Sequence, residues 1–241
     1  MKKVKLYGFY YSPYENNKGK AFKNLQAGKL YSKFKNDIDN PQSLGKILFS
    51  PPGSQEYSAS MKLPTKEIVF YDFFARDNSL VLDDFMRTPE INYHFGFFVS
   101  QKIKNILTIY TLPDHIYYPV NIHFQDNIYS YYFLLISYKN NGVDYKKSTF
   151  VESYDESKKV NILEYEDLIE QQIFEEDGSK YWTEKDVEEK EIILNKEIDI
   201  YPSLTLKSSP FYFSEKLKES LEKEGVTGIE IYSEEEDDLE F

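Results

Sequence analysis

The sequence predicts an α+β fold, in which a mostly antiparallel, twisted sheet carries a few helices packed on it. Aromatic residues make up 17% of the 241 residues, with 22 Tyr and 18 Phe, and this composition is typical of β-rich globular proteins. A strong hairpin signal lies near the middle of the chain, whereas helical spacing of apolar residues is confined to short segments. Clear hairpins with only a few helices favour an antiparallel sheet.

The first third of the chain alternates strand signals with turn residues. Residues 4–10 are predicted as a strand, and residues 20–66, which Pro and Gly interrupt, as loops around one or two short elements. Residues 67–74 (EIVFYDFF) are predicted as the next strand. Residues 79–88 (SLVLDDFMRT) fit a short helix that Ser79 caps.

One short motif then occurs twice in the chain. Residues 97–107 read FFVSQKIKNIL, and residues 211–221 read FYFSEKLKESL. Each copy predicts a strand that leads into a helix, with Ser100 or Ser214 accepting a hydrogen bond from an amide of the first turn. Apolar residues follow at helical spacing in both copies, namely Ile103, Ile106, Leu107, Leu217 and Leu221. A repeat of this kind indicates architecture rather than chemistry.

Local signals also predict the elements around the two copies. The strongest hairpin joins residues 117–124 to residues 128–138 through a turn at 125–127. After the second copy, Gly225 stands where a left-handed residue ends a helix, and residues 229–232 are predicted as a strand.

The repeat leaves two descriptions of the domain organisation open. Either the whole chain, 1–241, forms one domain, or the two copies mark related halves, 1–120 and 121–233. Residues 234–241 (EEEDDLEF) are predicted to be a disordered acidic tail, because like charges at this density repel each other.

Charge is distributed unevenly along the chain. Residues 1–120 carry 16 Lys and Arg against 11 Asp and Glu, whereas residues 121–241 carry 13 against 30, so a net +5 and a net −17 make up the total of −12. Residues 152–191 alone hold 15 acidic residues and 5 lysines. Such a field attracts basic partners and repels nucleic acid and anionic membranes. The simpler interpretation is that these charges keep a tyrosine-rich surface soluble.

The residues offer little catalytic chemistry. The three histidines, His94, His115 and His123, have no metal-binding spacing, and the chain contains no cysteine for a zinc site or a disulfide. Glycine-rich phosphate loops and the G-x-S-x-G motif are absent. We therefore predict no enzyme activity, no catalytic residue, no metal and no cofactor. No secretion signal or stretch of ~18 apolar residues is present, so a cytoplasmic protein is expected.

The second copy and the residues after it resemble a known family. Residues 208–233 (SSPFYFSEKLKESLEKEGVTGIEIYS) are similar to the C-terminal signature of bacterial immunity proteins, the antidote partners of polymorphic, contact-delivered toxins. The matching positions are Phe211, Phe213, Ser214, Leu217, Leu221, Gly225, Thr227 and Gly228. The middle of the chain resembles the family at Val99, Ser100, Tyr118, Pro119, Val120, Tyr131, Tyr132 and Ser148. In all, the resemblance covers roughly residues 97–151 and 192–233.

The resemblance implies a cytoplasmic, non-enzymatic protein that binds one toxin domain and blocks it during interbacterial competition. An acidic blocker suits a basic target such as a nuclease, because complementary fields speed association. The sequence departs from the family in a longer basic N-terminal region and in an acidic insertion at 152–191. Loops vary more than the elements that they connect, so we expect partner specificity in these departures. The predicted contact residues are Glu152, Asp155, Glu156, Glu166, Asp167, Glu170, Glu175, Glu176, Asp177, Trp182 and Glu184.

Two other functions remain open from the sequence. An aromatic-rich binding module for a sugar or single-stranded nucleic acid would need exposed Tyr rings on one sheet face. A carboxylate-dependent hydrolase would need two carboxyl groups in a pocket, with a strongly raised pKa. The sequence names neither the toxin nor the oligomeric state.

Overall fold

The structure, a computed structural model, describes residues 6–11, 25–27, 63, 73–75, 82–86, 96–138, 141–152, 154–176, 179–182, 187–202 and 211–233. These residues form an α+β fold with mostly antiparallel sheets, which confirms the predicted class. In chain order the elements are β1 (Leu6–Tyr11), β2 (Leu25–Ala27), β3 (Phe73–Ala75), β4 (Phe85–Met86), β5 (Gly96–Ser100), α1 (Gln101–Leu107), β6 (His115–Phe124), β7 (Asn127–Ile136), β8 (Thr149–Glu152), β9 (Asp155–Val160), α2 (Tyr165–Gln172), β10 (Ile173–Glu176), β11 (Ser179–Trp182), β12 (Val187–Glu191), β13 (Ile200–Pro202), β14 (Phe211–Ser214), α3 (Glu215–Lys223) and β15 (Ile229–Ser233).

The largest sheet has six strands in the order β2-β3-β6-β7-β5-β4, and β3 and β6 form its parallel pair. The predicted hairpin is confirmed as β6 and β7, which pair from His115↔Ile136 to Phe124↔Asn127. Its turn is one residue shorter than predicted. Gln125 and Asp126 have φ values of 48° and 63°, the left-handed conformation that a two-residue hairpin turn needs to match the twist of its strands.

The helix predicted at residues 79–88 is wrong within its described part. Phe85 and Met86 form β4, which pairs with β5 in the register Phe85↔Val99. Both side chains are buried, so the two consecutive apolar residues are held in the sheet by a partner strand that local periodicity does not reveal. Residues 79–81 and 87–88 lie outside the described residues. The same holds for residues 67–72 of the predicted strand that ends in β3, for most of 20–66, and for the tail 234–241.

A second sheet of four strands has the order β13-β14-β1-β15. Strand β1 pairs antiparallel with β14 (Leu6↔Ser214) and with β15 (Tyr11↔Ile229). An N-terminal strand therefore lies between two strands from the end of the chain. A division at residue 120 falls inside β6 and separates β1 from its partners, so the sheets do not follow the halves 1–120 and 121–233.

One buried apolar cluster joins the two sheets and their helices. Phe97 of β5 meets Phe211 of β14 edge to face, with 5.2 Å between ring centroids, and Phe85 lies 6.4 Å from Phe213. The predicted helical stripes point into this cluster from α1 and α3, through Ile103, Leu107, Leu217 and Leu221. No helix among the described residues has the length and apolar character needed to cross a membrane.

Candidate partner-binding surface

Along the chain, the predicted contact residues come after β7 of the six-stranded sheet and before β13 of the four-stranded sheet. We call residues 149–191 the acidic module; it comprises β8, β9, α2, β10, β11 and β12. Strands β12, β8 and β9 form an antiparallel sheet in that order, and β10 and β11 form a separate hairpin. The module holds the 15 acidic residues and 5 lysines that the sequence concentrates at 152–191.

Backbone contacts close the base of the acidic module. An antiparallel bridge joins Val143 to Leu194, and the Asp144 amide donates to the Ile193 carbonyl at 2.7 Å. The Ser148 hydroxyl oxygen accepts a hydrogen bond from the Ile193 amide at 3.0 Å. The chain therefore enters and leaves the module at one place, and Ser148, a position of the family resemblance, holds that place together.

The acidic module shares the main core. Phe150, Leu168 and Val187 are buried in the same apolar cluster as the two sheets, and Tyr145 stacks on Phe150 with 6.1 Å between ring centroids. The buried Asn141 amide group donates to the Tyr145 hydroxyl at 3.0 Å. These contacts fix the base of the module, so its outer charges are presented on an ordered support.

Strand β9, at the edge of the module's three-stranded sheet, exposes charged side chains. Its four central residues, 156–159, are all exposed, so both faces of the strand are open to solvent. Tyr154, in the turn between β8 and β9, is 87% exposed. The strand and its turn therefore offer a partner the carboxylates of Asp155 and Glu156, the amino groups of Lys158 and Lys159, and an aromatic ring.

Three of the predicted contact carboxylates already have lysine partners. Lys158 Nζ lies 3.1 Å from Glu152 Oε2 and 3.8 Å from Asp155 Oδ2. Lys190 Nζ of β12 lies 2.8 Å from Glu156 Oε2, reaching across β8, and its hydrogen bond lowers the pKa of the Glu156 carboxyl. All five side chains are substantially exposed, and exposed ion pairs contribute little to stability.

Asp167 has a local structural role. Its Oδ2 accepts hydrogen bonds from the amides of Leu163 at 2.8 Å and Glu164 at 3.2 Å, just before α2. A carboxylate in the first turn that bonds back to these amides stabilises the helix start. Asp155 also bonds nearby backbone, at the start of β9, where its Oδ1 accepts a hydrogen bond from the Ser157 amide at 3.1 Å.

The remaining predicted contact residues are spread over α2 and the β10–β11 hairpin. Glu170 is exposed on α2, and Glu166 is half-buried. The backbones of Glu175 and Glu176 lie in β10, opposite Lys180 and Ser179 of β11, and Trp182 lies opposite Ile173. Asp177 and Glu184 lie outside the described residues. The structure therefore groups the β9 carboxylates but does not gather the whole predicted set at one point.

Neither alternative function gains support from the described residues. Of the exposed tyrosines among them, Tyr129 lies in β7 and Tyr154 in the turn between β8 and β9, so they do not share a sheet face. Lysine hydrogen bonds lower the pKa of the Asp144 and Glu156 carboxyl groups, so neither of these two groups has the raised pKa that a carboxylate-dependent hydrolase needs. In the described part of the chain, no group of three or more His, Asp or Glu side chains fits a metal ion.

The predicted caps of the repeated motif are confirmed. The hydroxyl oxygens of Ser100 and Ser214 accept hydrogen bonds from the amides of Ile103 and Leu217, each at 3.3 Å. After α3, Gly225 has φ +59°, its amide donates to the Glu222 carbonyl, and the next amide donates to the Leu221 carbonyl. This pair of bonds is the glycine-based helix end that the sequence predicts.

Sequence reasoning missed an aspartate beside each cap. The Ser100 hydroxyl donates to Asp84 Oδ1 at 2.7 Å, and the Ser214 hydroxyl donates to Asp199 Oδ1 at 2.6 Å. A lysine two residues after each serine completes the group: Lys102 Nζ lies 3.2 Å from Asp84, and Lys216 Nζ lies 3.1 Å from Asp199. The sequence shows only that the two aspartates lie 16 and 15 residues before their serines, a spacing that does not by itself predict contact.

Thr227 and Gly228, the last family positions, bind the first sheet. Thr227 Oγ1 accepts from the Asp84 amide at 3.1 Å, and its carbonyl accepts from the Phe85 amide at 3.0 Å. Gly228 has φ +94°, and a Cβ there would lie 2.0 Å from the Phe85 carbonyl oxygen. The motif residues therefore support the fold, and the exposed acidic module stays the candidate binding surface. No protein-family model matches the sequence, and neither does any curated protein.

Proposed function

We propose that this protein is a cytoplasmic immunity protein that binds a cognate antibacterial toxin domain and neutralises it by covering its surface. The proposal starts from the resemblance of residues 97–151 and 192–233 to that family. The resembling residues cap helices, end a helix and join two sheets, which are roles that related proteins share independently of their partners. Partner choice then belongs to the part that departs from the family.

The acidic module is the observation that carries the proposal. Its sequence contains 15 acidic residues and 5 lysines, and its described part is packed on the main core and closed at its base. A toxin domain with a basic surface fits this charge, and a nuclease is the natural candidate because its substrate is a polyanion. Charge complementarity of this kind raises the association rate more than the affinity.

The ion pairs on β9 suit an exchange of partners on binding. Lys158 and Lys190 neutralise carboxylates in exposed pairs, and such pairs contribute little to stability. An arginine of the toxin replaces either lysine at small cost and binds a carboxylate through two hydrogen bonds. Tyr154 beside these carboxylates offers a large aromatic surface of the kind enriched at the energetic centres of interfaces.

The proposal is tested first by asking whether the gene immediately upstream encodes a toxin domain, and then with that domain. We expect a stable 1:1 complex by light scattering, suppression of the toxin's lethality on co-expression, and a faster association at low ionic strength. A purified protein that turns over a metabolite, or that leaves the lethality of that toxin unchanged, contradicts the proposal.

Charge reversal locates the interface. Glu156→Lys and Glu170→Lys in the acidic module should each lower the association rate several-fold at low salt, because each removes attraction for a basic partner. Stopped-flow association with the toxin domain measures the effect. Glu219→Lys is the matched control, since Glu219 is also exposed, lies on α3, and undergoes the same change of charge. Equal effects of all three changes would show a general influence of net charge instead of a binding site in the module.

A further inference from the structure

Two parts of the fold repeat one arrangement. The first unit contains β4, β5, α1, β6 and β7, and its strands lie in the order β4-β5-β7-β6. The second unit contains β13, β14, α3, β15 and β1, and its strands lie in the order β13-β14-β1-β15. In each unit a short strand, a Ser-capped strand–helix segment and the strand that follows the helix hold corresponding places. Strand β1 takes the place in the second unit that β7 takes in the first.

The contacts between the units follow a two-fold pattern. Phe97 and Phe211 hold the same position in the repeated motif, and their rings meet at 5.2 Å and an interplanar angle of 83°. Contact between equivalent residues is what a two-fold axis produces, because the same patch then serves both partners. The two units are packed like the subunits of a symmetric dimer, but within one chain.

The aspartates extend this reciprocity. Asp84 of the first unit is held by Thr227, which follows α3 of the second, through both its amide and its Oδ2. Asp199 of the second unit is held by Thr111, which follows α1 of the first: the Thr111 amide donates to Asp199 Oδ2 at 2.8 Å, and its carbonyl accepts from the Asp199 amide at 2.7 Å. Each aspartate is therefore bound by the segment that leaves the other unit's helix.

Further bonds follow the same exchange. Lys102 Nζ of α1 donates to the Gly225 carbonyl after α3 at 3.3 Å, and the Tyr110 hydroxyl after α1 donates to the Lys216 carbonyl of α3 at 3.2 Å. We call Asp84, Ser100 and Lys102 with Gly225 and Thr227 the first clasp. We call Asp199, Ser214 and Lys216 with Tyr110 and Thr111 the second clasp.

We propose that the two clasps act as one lock, so that opening either clasp releases both sheets together. The segment that closes the first clasp leads directly into β15 of the second sheet, and the segment that closes the second clasp leads into β6 of the first sheet. Opening a clasp thus frees a strand of the opposite unit. Asp199 is fully buried, so loss of its partners leaves a buried carboxylate without hydrogen bonds, which is destabilising. Because these partners come from both units, the loss destabilises both.

Native-state hydrogen exchange tests the lock in the full-length protein. Thr227→Val removes the hydroxyl that bonds the Asp84 amide and keeps the side-chain shape. We expect the slowest amides of β5 and of β14 to exchange faster by the same factor, about five-fold, the effect of one lost hydrogen bond on a shared opening reaction. Faster exchange confined to β4 and β5, or confined to β14 and β15, would show that the units open separately and would overturn the proposal, as would an unchanged rate in both.

The reciprocal variant and a control complete the test. Tyr110→Phe removes a bond of the second clasp, and it should also accelerate β5 and β14 together. Ser157→Ala removes a hydroxyl that bonds Asp155 in the acidic module and touches neither clasp. It should leave both sets of amides unchanged. An effect of Tyr110→Phe that is confined to the second unit would overturn the proposal even if Thr227→Val acts as expected.

Discussion

A single hydroxyl does two things at Ser214. Its oxygen accepts a hydrogen bond from the Leu217 amide, and the same hydroxyl donates a hydrogen bond to the buried Asp199 carboxylate. The residue therefore caps a helix and gives a buried carboxylate a hydrogen-bond partner. The capping role is visible in the sequence, because a serine before a helical stripe is a local signal. The second role depends on a residue from another strand, and for this reason the two serines were predicted from the sequence whereas Asp84 and Asp199 were missed.

Two glycines allow a matched test at the residue scale. Gly225 and Gly228 both have positive φ, but no atom lies within 4 Å of a Cβ at Gly225, whereas a Cβ at Gly228 meets the Phe85 carbonyl. Gly225→Ala should cost about 1–2 kcal/mol of unfolding free energy, the strain of a left-handed alanine. Gly228→Ala should cost clearly more, because backbone must move as well. Urea unfolding measures both, and equal costs would mean that the contact with Phe85 yields easily.

At the scale of elements, the sequence predicted correctly those helices and strands whose formation depends on signals within their own residues. The β6–β7 hairpin and the two capped helices carry alternation, caps and stops within a few residues. Strand β4 does not, since Phe85 and Met86 become a strand only because β5 lies beside them. The acidic module illustrates the same limit for the candidate site: composition located it, but only the fold assigns Asp167 to a helix start and Glu156 to Lys190.

Helix α3 offers a direct test of the buried stripe. Leu221→Ala should cost about 2–5 kcal/mol of unfolding free energy, because Leu221 is almost fully buried and its loss leaves a cavity. Lys223→Ala, on the exposed side of the same helix, is the control and should change stability by less than about 0.5 kcal/mol. Chemical denaturation of both variants gives the comparison. A Leu221→Ala cost as small as that of the control would contradict the packing of α3.

At the scale of the whole molecule, the predicted class is correct, but local sequence patterns did not predict the arrangement of the strands. No local pattern near residues 6–11 predicts that this strand pairs with β14 and β15, because its partners lie almost at the other end of the chain. The repeat was detected, yet its units do not correspond to the sequence halves, since one unit takes a strand from the start of the chain. A motif search finds the similarity between the units, but not the exchange of segments that joins them.

Buried tyrosines predict alkaline sensitivity of the whole fold. Burial raises the pKa of Tyr117 and Tyr118 to about 12, and it also raises the pKa of Tyr131 and Tyr145. Tyrosines of the unfolded chain lose their protons near pH 10, so above that pH the unfolded state binds fewer protons than the native state. Stability should therefore be fully present below pH 10 and fall as the pH rises towards 12.

Urea midpoints measured from pH 8 to about pH 11.5 test this dependence. Tyr118→Phe should flatten the alkaline decline, because it removes one of the groups that resists ionisation in the native state. A midpoint that stays constant above pH 10 in the unmodified protein would contradict the assignment.

The position of β1 has a consequence for how the protein is made. Residues 6–11 leave the ribosome about 200 residues before the strands that flank them, and at roughly 5–20 residues per second this interval lasts about 10–40 s. During that time the aromatic-rich segment LYGFYY has no native neighbour, and an unpaired strand is open to wrong pairing or to chaperones. The yield of folded protein in the cell should therefore depend on whether residues 6–11 avoid wrong pairing during translation, as well as on the stability of the native fold.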